Sequence, residues 1–265
     1  MELERFYQAK QAEITALEKL GQDAVAPWPA PRPSFSAALK KPCPGPLPVI
    51  AEFKRASPSR GMICSHVEPE DAARQYAENG ASAISVLTEE AWFKGHLSYL
   101  SRIAAINPGI PMLRKDFLFH PAQIAATLGT PASALLLIVR LTPDARVLRE
   151  LREQAEQGGV EAVVEIFSEK DLDIARESGA SIIQVNARDL ETLSVDARST
   201  LRFIREHRPE KEELWIAASG MTCREDLAAA AEAGYHAALV GSALMEGGTP
   251  GESLRRMLTG EDWQC

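Results

Sequence analysis

With 265 residues, 45% of them hydrophobic and 25% charged, the chain has the make-up of a globular protein with a sizeable core. Its length is also that of a single (β/α)8 barrel, about 250 residues. The net charge of −8, with no basic block, argues against nucleic acid or an anionic membrane as the main partner, though it leaves room for a small anionic ligand.

The chain opens Met1-Glu-Leu-Glu-Arg5, without the apolar segment of a signal peptide, and no apolar run nears the roughly 20 residues of a membrane span. A cytoplasmic location is therefore expected. Residues 1–20 read as a helix, with Leu3, Phe6, Tyr7, Ile14, Leu17 and Leu20 near one face and Gly21 as its stop. Eight prolines follow between residues 26 and 48, which predicts a stiff, irregular connector with one helical turn around Phe35 to Leu39. Residues 1–47 are thus expected to form an N-terminal helical and proline-rich extension, and residues 48–265 one catalytic barrel.

From Pro48 onward the chain alternates. Strand-like runs fall at Val49–Phe53, Ala83–Leu87, Pro111–Arg114, Ala134–Val139, Ala162–Ile166, Ile182–Val185, Trp215–Ala218 and Ala237–Val240. Amphipathic segments lie between them, among others Pro69–Asn79, Pro121–Leu128, Ala145–Gln157, Lys170–Ser178, Asp196–His207 and Arg224–Ala233. Gly80, Gly129, Gly158, Gly179 and Gly234 are natural helix stops. A run such as Ala134-Leu-Leu-Leu-Ile-Val139 is apolar at every position, which suits a parallel strand buried on both faces. Eight βα-type units are the number that closes a barrel, so a (β/α)8 barrel is the expected fold; a doubly wound open sheet is the competing arrangement. The four cysteines, Cys43, Cys64, Cys223 and Cys265, are scattered without metal-ligand spacing and read as isolated reduced thiols.

A barrel gathers the carboxyl ends of its strands on one face. Polar residues at those ends are Glu52 and Lys54, Lys115 and Asp116, Arg140, Glu165, Asn186 and Arg188, Ser219-Gly220, and Gly241-Ser242. Two lysines, two carboxylates and an asparagine on one face make a dense ionisable cluster, the usual equipment of acid–base chemistry. Glu52 could instead be a structural ion-pair partner, the lysines could be rim residues, and Arg188 could pair locally with Asp189 or Glu191. Glu165, between Val164 and Ile166, is costly to bury unless used or paired. Gly-Ser or Ser-Gly after each of the last two strands suits a phosphate, with Ser57 or Ser59 completing the cradle. The histidines show no ligand spacing.

Several stretches together resemble the indole-3-glycerol-phosphate synthase family along nearly the whole chain. They are Ile50-Ala-Glu-Phe-Lys-Arg-Ala-Ser-Pro-Ser-Arg-Gly61, Ser85-Val-Leu-Thr-Glu89 with Trp92-Phe-Lys-Gly95, and Leu113-Arg-Lys-Asp-Phe117 with Gln123-Ile124. Val164-Glu-Ile166, Val185-Asn-Ala-Arg-Asp-Leu190, Ser219-Gly220 and Leu239-Val-Gly-Ser-Ala-Leu-Met245 follow in the same order. The resemblance implies a tryptophan-biosynthesis lyase that closes an indole ring on a carboxyphenylamino-deoxyribulose 5-phosphate with loss of CO2 and water. It implies Lys115 as general acid, Lys54 on the substrate carboxylate, Glu52 orienting Lys54, Glu165 assisting dehydration and Asn186 on the sugar hydroxyls. Ser57, Ser219, Gly220, Leu239, Gly241 and Ser242 belong to the implied phosphate-binding set, Phe93 and Phe117 to the aryl pocket, and Arg188 matches the family's arginine in its loop. No metal or organic cofactor is implied, and a monomer or weak homodimer is expected.

The family usually carries Glu-Ser-Gly where this chain has Ala218-Ser219-Gly220. The missing carboxylate would have kept nearby ammonium groups charged. Ala187 and His96 are milder departures. Two alternatives therefore accompany the synthase reading: a paralogue acting on another aryl-amino sugar phosphate, and a non-catalytic pathway scaffold.

Overall fold

Eight parallel strands close on themselves in the computed structural model, which describes residues 2–21, 25–187 and 197–261. They are β1 (Val49–Phe53), β2 (Ala83–Leu87), β3 (Met112–Lys115), β4 (Ala134–Ile138), β5 (Glu161–Ile166), β6 (Ile182–Asn186), β7 (Leu214–Ala218) and β8 (Ala237–Val240). Each pairs with its successor, and β1 pairs with β8 through Val49 beside Ala238 and Ile50 beside Leu239. That last pairing decides for the barrel over an open sheet. β3 and β6 run one residue further than the sequence suggests, which puts Lys115 and Asn186 on the strands themselves.

Alternation explains why the strand sequences are apolar throughout. Ile50, Leu113, Leu136, Val163, Ile182, Ile216 and Leu239 pack together inside the barrel. Their neighbours Val49, Ala51, Ile84, Leu135, Val164, Trp215 and Val240 pack outward against the helices. A strand covered on both faces has no polar side to display.

The helices are α1 (Glu2–Leu20), α2 (Phe35–Leu39), α3 (Pro69–Glu78), α4 (Ser98–Ala105), α5 (Pro121–Leu128), α6 (Ala145–Gln157), α7 (Glu169–Glu177), α8 (Ala197–Glu206), α9 (Arg224–Ala233), α10 (Ser242–Met245) and α11 (Pro250–Thr259). Several starts are written locally. Asp144 accepts the Arg146 and Val147 N–H groups ahead of α6, Ser168 accepts that of Asp171 in α7, and Pro69, Pro121 and Pro250 stand where a helix needs no N–H. None of these helices is long and apolar enough to cross a membrane.

The N-terminal segment reaches both ends of the barrel. Phe35 and Leu39 of α2 join the interior cluster, where Glu161 at the start of β5 accepts the Phe35 and Ser36 N–H groups and the Ser34 hydroxyl. At the same end, Arg32 donates to the carbonyls of Leu128, Thr130 and Gly158 in the connections that lead into β4 and β5. Phe6 of α1 joins the same interior cluster from the opposite end. The expectation of isolated thiols is corrected at one position. Cys43 and Cys64 are free, but Cys223 is disulfide-bonded, and Cys265 lies outside the described residues. Spacing along the chain cannot show which sulfurs the closed barrel brings together.

Candidate active site

The inward positions turn polar toward the carboxyl ends of the strands. Glu52, Lys115 and Glu165 follow apolar inward residues at intervals of two, Asn186 follows Ile182 and Gln184 in the same alternation, and Lys54 continues the β1 series just beyond the strand. Lys54 Nζ lies 2.6 Å from Glu52 Oε1, and Lys115 Nζ 3.5 Å from Glu165 Oε2. Ser85 donates to Glu52 Oε2 at 3.4 Å, and the Gln184 amide donates to Glu165 Oε2. Glu52 is wholly buried. Burial alone raises its carboxyl pKa, but Lys54, Lys115 and the hydrogen bonds from Lys54 and Ser85 outweigh that and hold it below the ordinary carboxylate value.

Two hollows meet over these groups, sharing Lys54 and Ser219. The first has an apolar wall made by Phe6, Leu87, Phe93, Phe117, Leu136 and Ile138, faced by Lys115, Glu165 and Asn186. The second is bounded by Gly220, Leu239, Gly241 and Ser242, with Arg60 and Arg256 at its rim. Ser219 and Gly220 are both left-handed, with φ of 67° and 79°. At Ser219, a residue with a Cβ, this costs about 1–3 kcal/mol, the kind of strain that collects at ligand loops. Gly241 is needed for room: a Cβ there would come within 2.4 Å of Glu52 Oε1. The second hollow's loop and the buried acid are therefore in van der Waals contact.

Of the expected site residues, Glu52, Lys54, Lys115, Glu165, Asn186, Phe93, Phe117, Ser219, Gly220, Leu239, Gly241 and Ser242 line one hollow or both. Ser57 does not face the second hollow. It lines the first, with its buried hydroxyl lacking a partner among the described residues. Arg188 lies outside the described residues. Asp116, placed by its position in the polar cluster, has its carboxylate committed to Lys10 and Arg114. Arg140 pairs with Asp171 and lies over the Phe167 ring.

Sequence reasoning missed four contributors. Phe6 reaches the site from α1 and stacks on Phe117 with ring centroids 4.0 Å apart. Its only signal was its place on the apolar face of a predicted helix. Glu89 is buried and accepts the N–H groups of Ala91, Trp92 and Phe93, which sets the turn that carries Phe93. Arg60 and Glu246 form an ion pair across the rim of the second hollow, linking the loops after β1 and β8. At Ala218 the missing carboxylate leaves no hole. The methyl group is buried in the interior cluster and lines neither hollow, and each lysine has another carboxylate partner.

A closed (β/α)8 barrel with paired lysines and carboxylates where its strands end, between an apolar wall and a glycine- and serine-lined hollow, defines a barrel enzyme equipped for proton transfer. The profile of the family described as indole-3-glycerol phosphate synthase matches residues 3–257. The chain belongs to that family, whose members are carboxy-lyases. It is 40% identical to the indole-3-glycerol phosphate synthase of Chloroherpeton thalassium over 92% of this chain and 94% of that one. With the Mycolicibacterium smegmatis synthase it shares 42% identity over 95% and 89% of the two chains. A chain of the tryptophan synthase complex of Pyrococcus furiosus superposes with a TM-score of 0.58 at 11% identity, covering 81% of this chain and 96% of that one. This last likeness speaks for the barrel fold alone.

Proposed function

We propose that this cleft closes the indole ring of indole-3-glycerol phosphate, with the residues above in defined roles. As an indole-3-glycerol phosphate synthase the protein is a carboxy-lyase of tryptophan biosynthesis. The substrate, 1-(2-carboxyphenylamino)-1-deoxyribulose 5-phosphate, lays its aryl ring on the Phe6, Phe93 and Phe117 wall. Its phosphate occupies the hollow of Ser219, Gly220, Leu239, Gly241 and Ser242. Lys54, which borders both hollows, holds the substrate carboxylate, and Glu52 fixes the direction of Lys54.

Lys115 gives a proton to the ribulose carbonyl oxygen as the carboxylate-bearing ring carbon attacks the carbonyl carbon. A carbon–carbon bond forms and the C=O π bond becomes a hydroxyl. The bond to the carboxylate then breaks, releasing CO2 and returning its electron pair to the ring. In the last step the new hydroxyl leaves as water with a proton from the cluster, and the adjacent methylene carbon loses a proton. Glu165 assists that dehydration as acid/base and stabilises the developing positive charge. Asn186 holds the sugar hydroxyls. Ser57 and Arg188 complete the substrate contacts.

The observation that carries these roles is the pairing of each lysine with its own buried carboxylate in one cleft, Lys54 with Glu52 and Lys115 with Glu165. A single-turnover assay that follows indole fluorescence tests them, with Lys115→Ala beside the unaltered protein. Indole formation that disappears in the variant supports Lys115 as the acid; undiminished formation refutes that role.

A further inference from the structure

The strongest unexplained feature is a buried ionic cluster on the far side of β3 from the reacting groups. Lys115 lines the cleft, while Arg114 lies under α1 and Asp116, which also borders the first hollow, gives its carboxylate to Lys10 and Arg114. Asp116 is at its centre. Its Oδ1 accepts Lys10 Nζ of α1 at 2.6 Å and the Phe117 backbone N–H at 2.8 Å. Its Oδ2 accepts the Thr88 hydroxyl at 2.6 Å and Arg114 Nη2 at 3.2 Å. Arg114 also donates to Thr127 Oγ1 at 2.7 Å. Glu13, the next turn of α1, lies 2.8 Å from Lys10 and 3.5 Å from Arg114.

The Lys10 and Asp116 side chains are 5% and 1% exposed, so both charges have left water. Desolvation on that scale weighs against a pair kept for stability alone. The geometry suggests another use. Phe6 and Lys10 are four residues apart on α1 and so share a face. Phe117 and Asp116 are adjacent beyond β3. The same carboxylate oxygen therefore holds both the ammonium of the helix and the backbone of the aromatic wall. The two rings meet at 4.0 Å, with an angle of 24° between their planes.

We infer that Lys10 is a positioning residue: its bond to Asp116 registers α1 on the barrel so that Phe6 stacks on Phe117 and closes the aryl side of the cleft. Lys10 touches no reacting atom. It acts through Asp116 and Phe6, and it governs affinity for the aryl half of the substrate while leaving the phosphate half alone. This rests on the aryl ring lying against Phe6 and Phe117.

The test uses the full chain with Lys10→Met, Lys10→Arg and Phe6→Ala. Lys10→Met is expected to raise KM about tenfold with kcat within about twofold, the pattern of lost uniform binding. The inhibition constant of inorganic phosphate stays unchanged, and Lys10→Arg restores KM. An unchanged KM in Lys10→Met overturns the proposal. So does a rise in KM matched by an equal loss of phosphate affinity, which would mean general loosening. Lys10→Gln, which keeps a hydrogen-bond donor, replaces the methionine variant if that one does not fold. Unchanged KM in Phe6→Ala refutes the aryl placement itself; a raised KM there with Lys10→Met unaffected refutes only the clasp.

Discussion

The two ends of the barrel are closed by the same N-terminal segment in opposite ways. At the amino-terminal end α2 inserts Phe35 and Leu39 among apolar interior residues, and one carboxylate, Glu161, satisfies the helix start. At the carboxyl-terminal end α1 brings Phe6 over a cleft that holds two lysines and two carboxylates, and it is fastened by further buried charges. Burying charge costs free energy unless every partner is in place. Among the described residues the connected buried ion pairs, Lys54–Glu52, Lys115–Glu165 and Lys10–Asp116–Arg114, gather at the end where protons must move, while the amino-terminal end keeps the separate Arg176–Glu213 pair. A perturbation of the floor should therefore act on stability alone, whereas one of the mouth should act on activity and, where it strips a buried charge of its partner, on stability as well.

The largest effect that would break this contrast concerns Lys115. Lys115→Ala should slow indole formation about 100- to 10,000-fold, roughly 3–5 kcal/mol of barrier. A large fall in Tm with normal turnover would reverse the assignment of the mouth. Phe35→Ala at the floor should cost about 3–5 kcal/mol in denaturant unfolding while KM and kcat hold at a temperature where the protein stays folded.

Acid sharpens the comparison. Glu52 and Asp116 both titrate below their ordinary values of 4.5 and 3.8. For each, burial pushes upward, and it is outweighed by Lys54 and Lys115 for Glu52, by Arg114 and Lys10 for Asp116. A carboxylate with a lowered folded pKa stabilises the fold fully above its unfolded pKa, and that contribution disappears as pH falls toward the folded value. Denaturant midpoints should begin to fall below about pH 6.5, where burial holds the His236 imidazole neutral in the fold, and drop further below about pH 5 as Glu52 and Asp116 protonate together with Glu68, Glu70 and Glu213. Lys10→Met should flatten the drop by removing part of Asp116's shift, and an unaltered pH profile would contradict it. The smallest effect is expected at Glu161→Ala, which leaves the α2 N–H groups without their acceptor and should cost about 1–2 kcal/mol of stability with no change in KM. A change in KM there would show that the two ends communicate.

The eight-unit alternation, the helix starts at proline and the polar residues at the strand ends were legible in the chain. Each depends on residues close in sequence: periodicity, capping and the end of an apolar run. Lys54, Lys115, Glu52, Glu165 and Asn186 could be singled out because a charge at the end of a buried strand is conspicuous. Closure through β1 and β8 was expected from the count of eight units, but their local pattern alone did not exclude an open sheet, which uses the same alternating units. The stacking of Phe6 on Phe117, the turning of Asp116 toward Lys10, the placement of Ser57 on the aryl side and the Arg60–Glu246 pair joined residues far apart in the chain or depended on which way a side chain faces. Only closure of the barrel brings α1 to the end of β3 and the last loop to the first. Local pattern therefore determined the elements and the inventory of chemical groups, and the tertiary structure decided which groups share one cleft and which hold it shut.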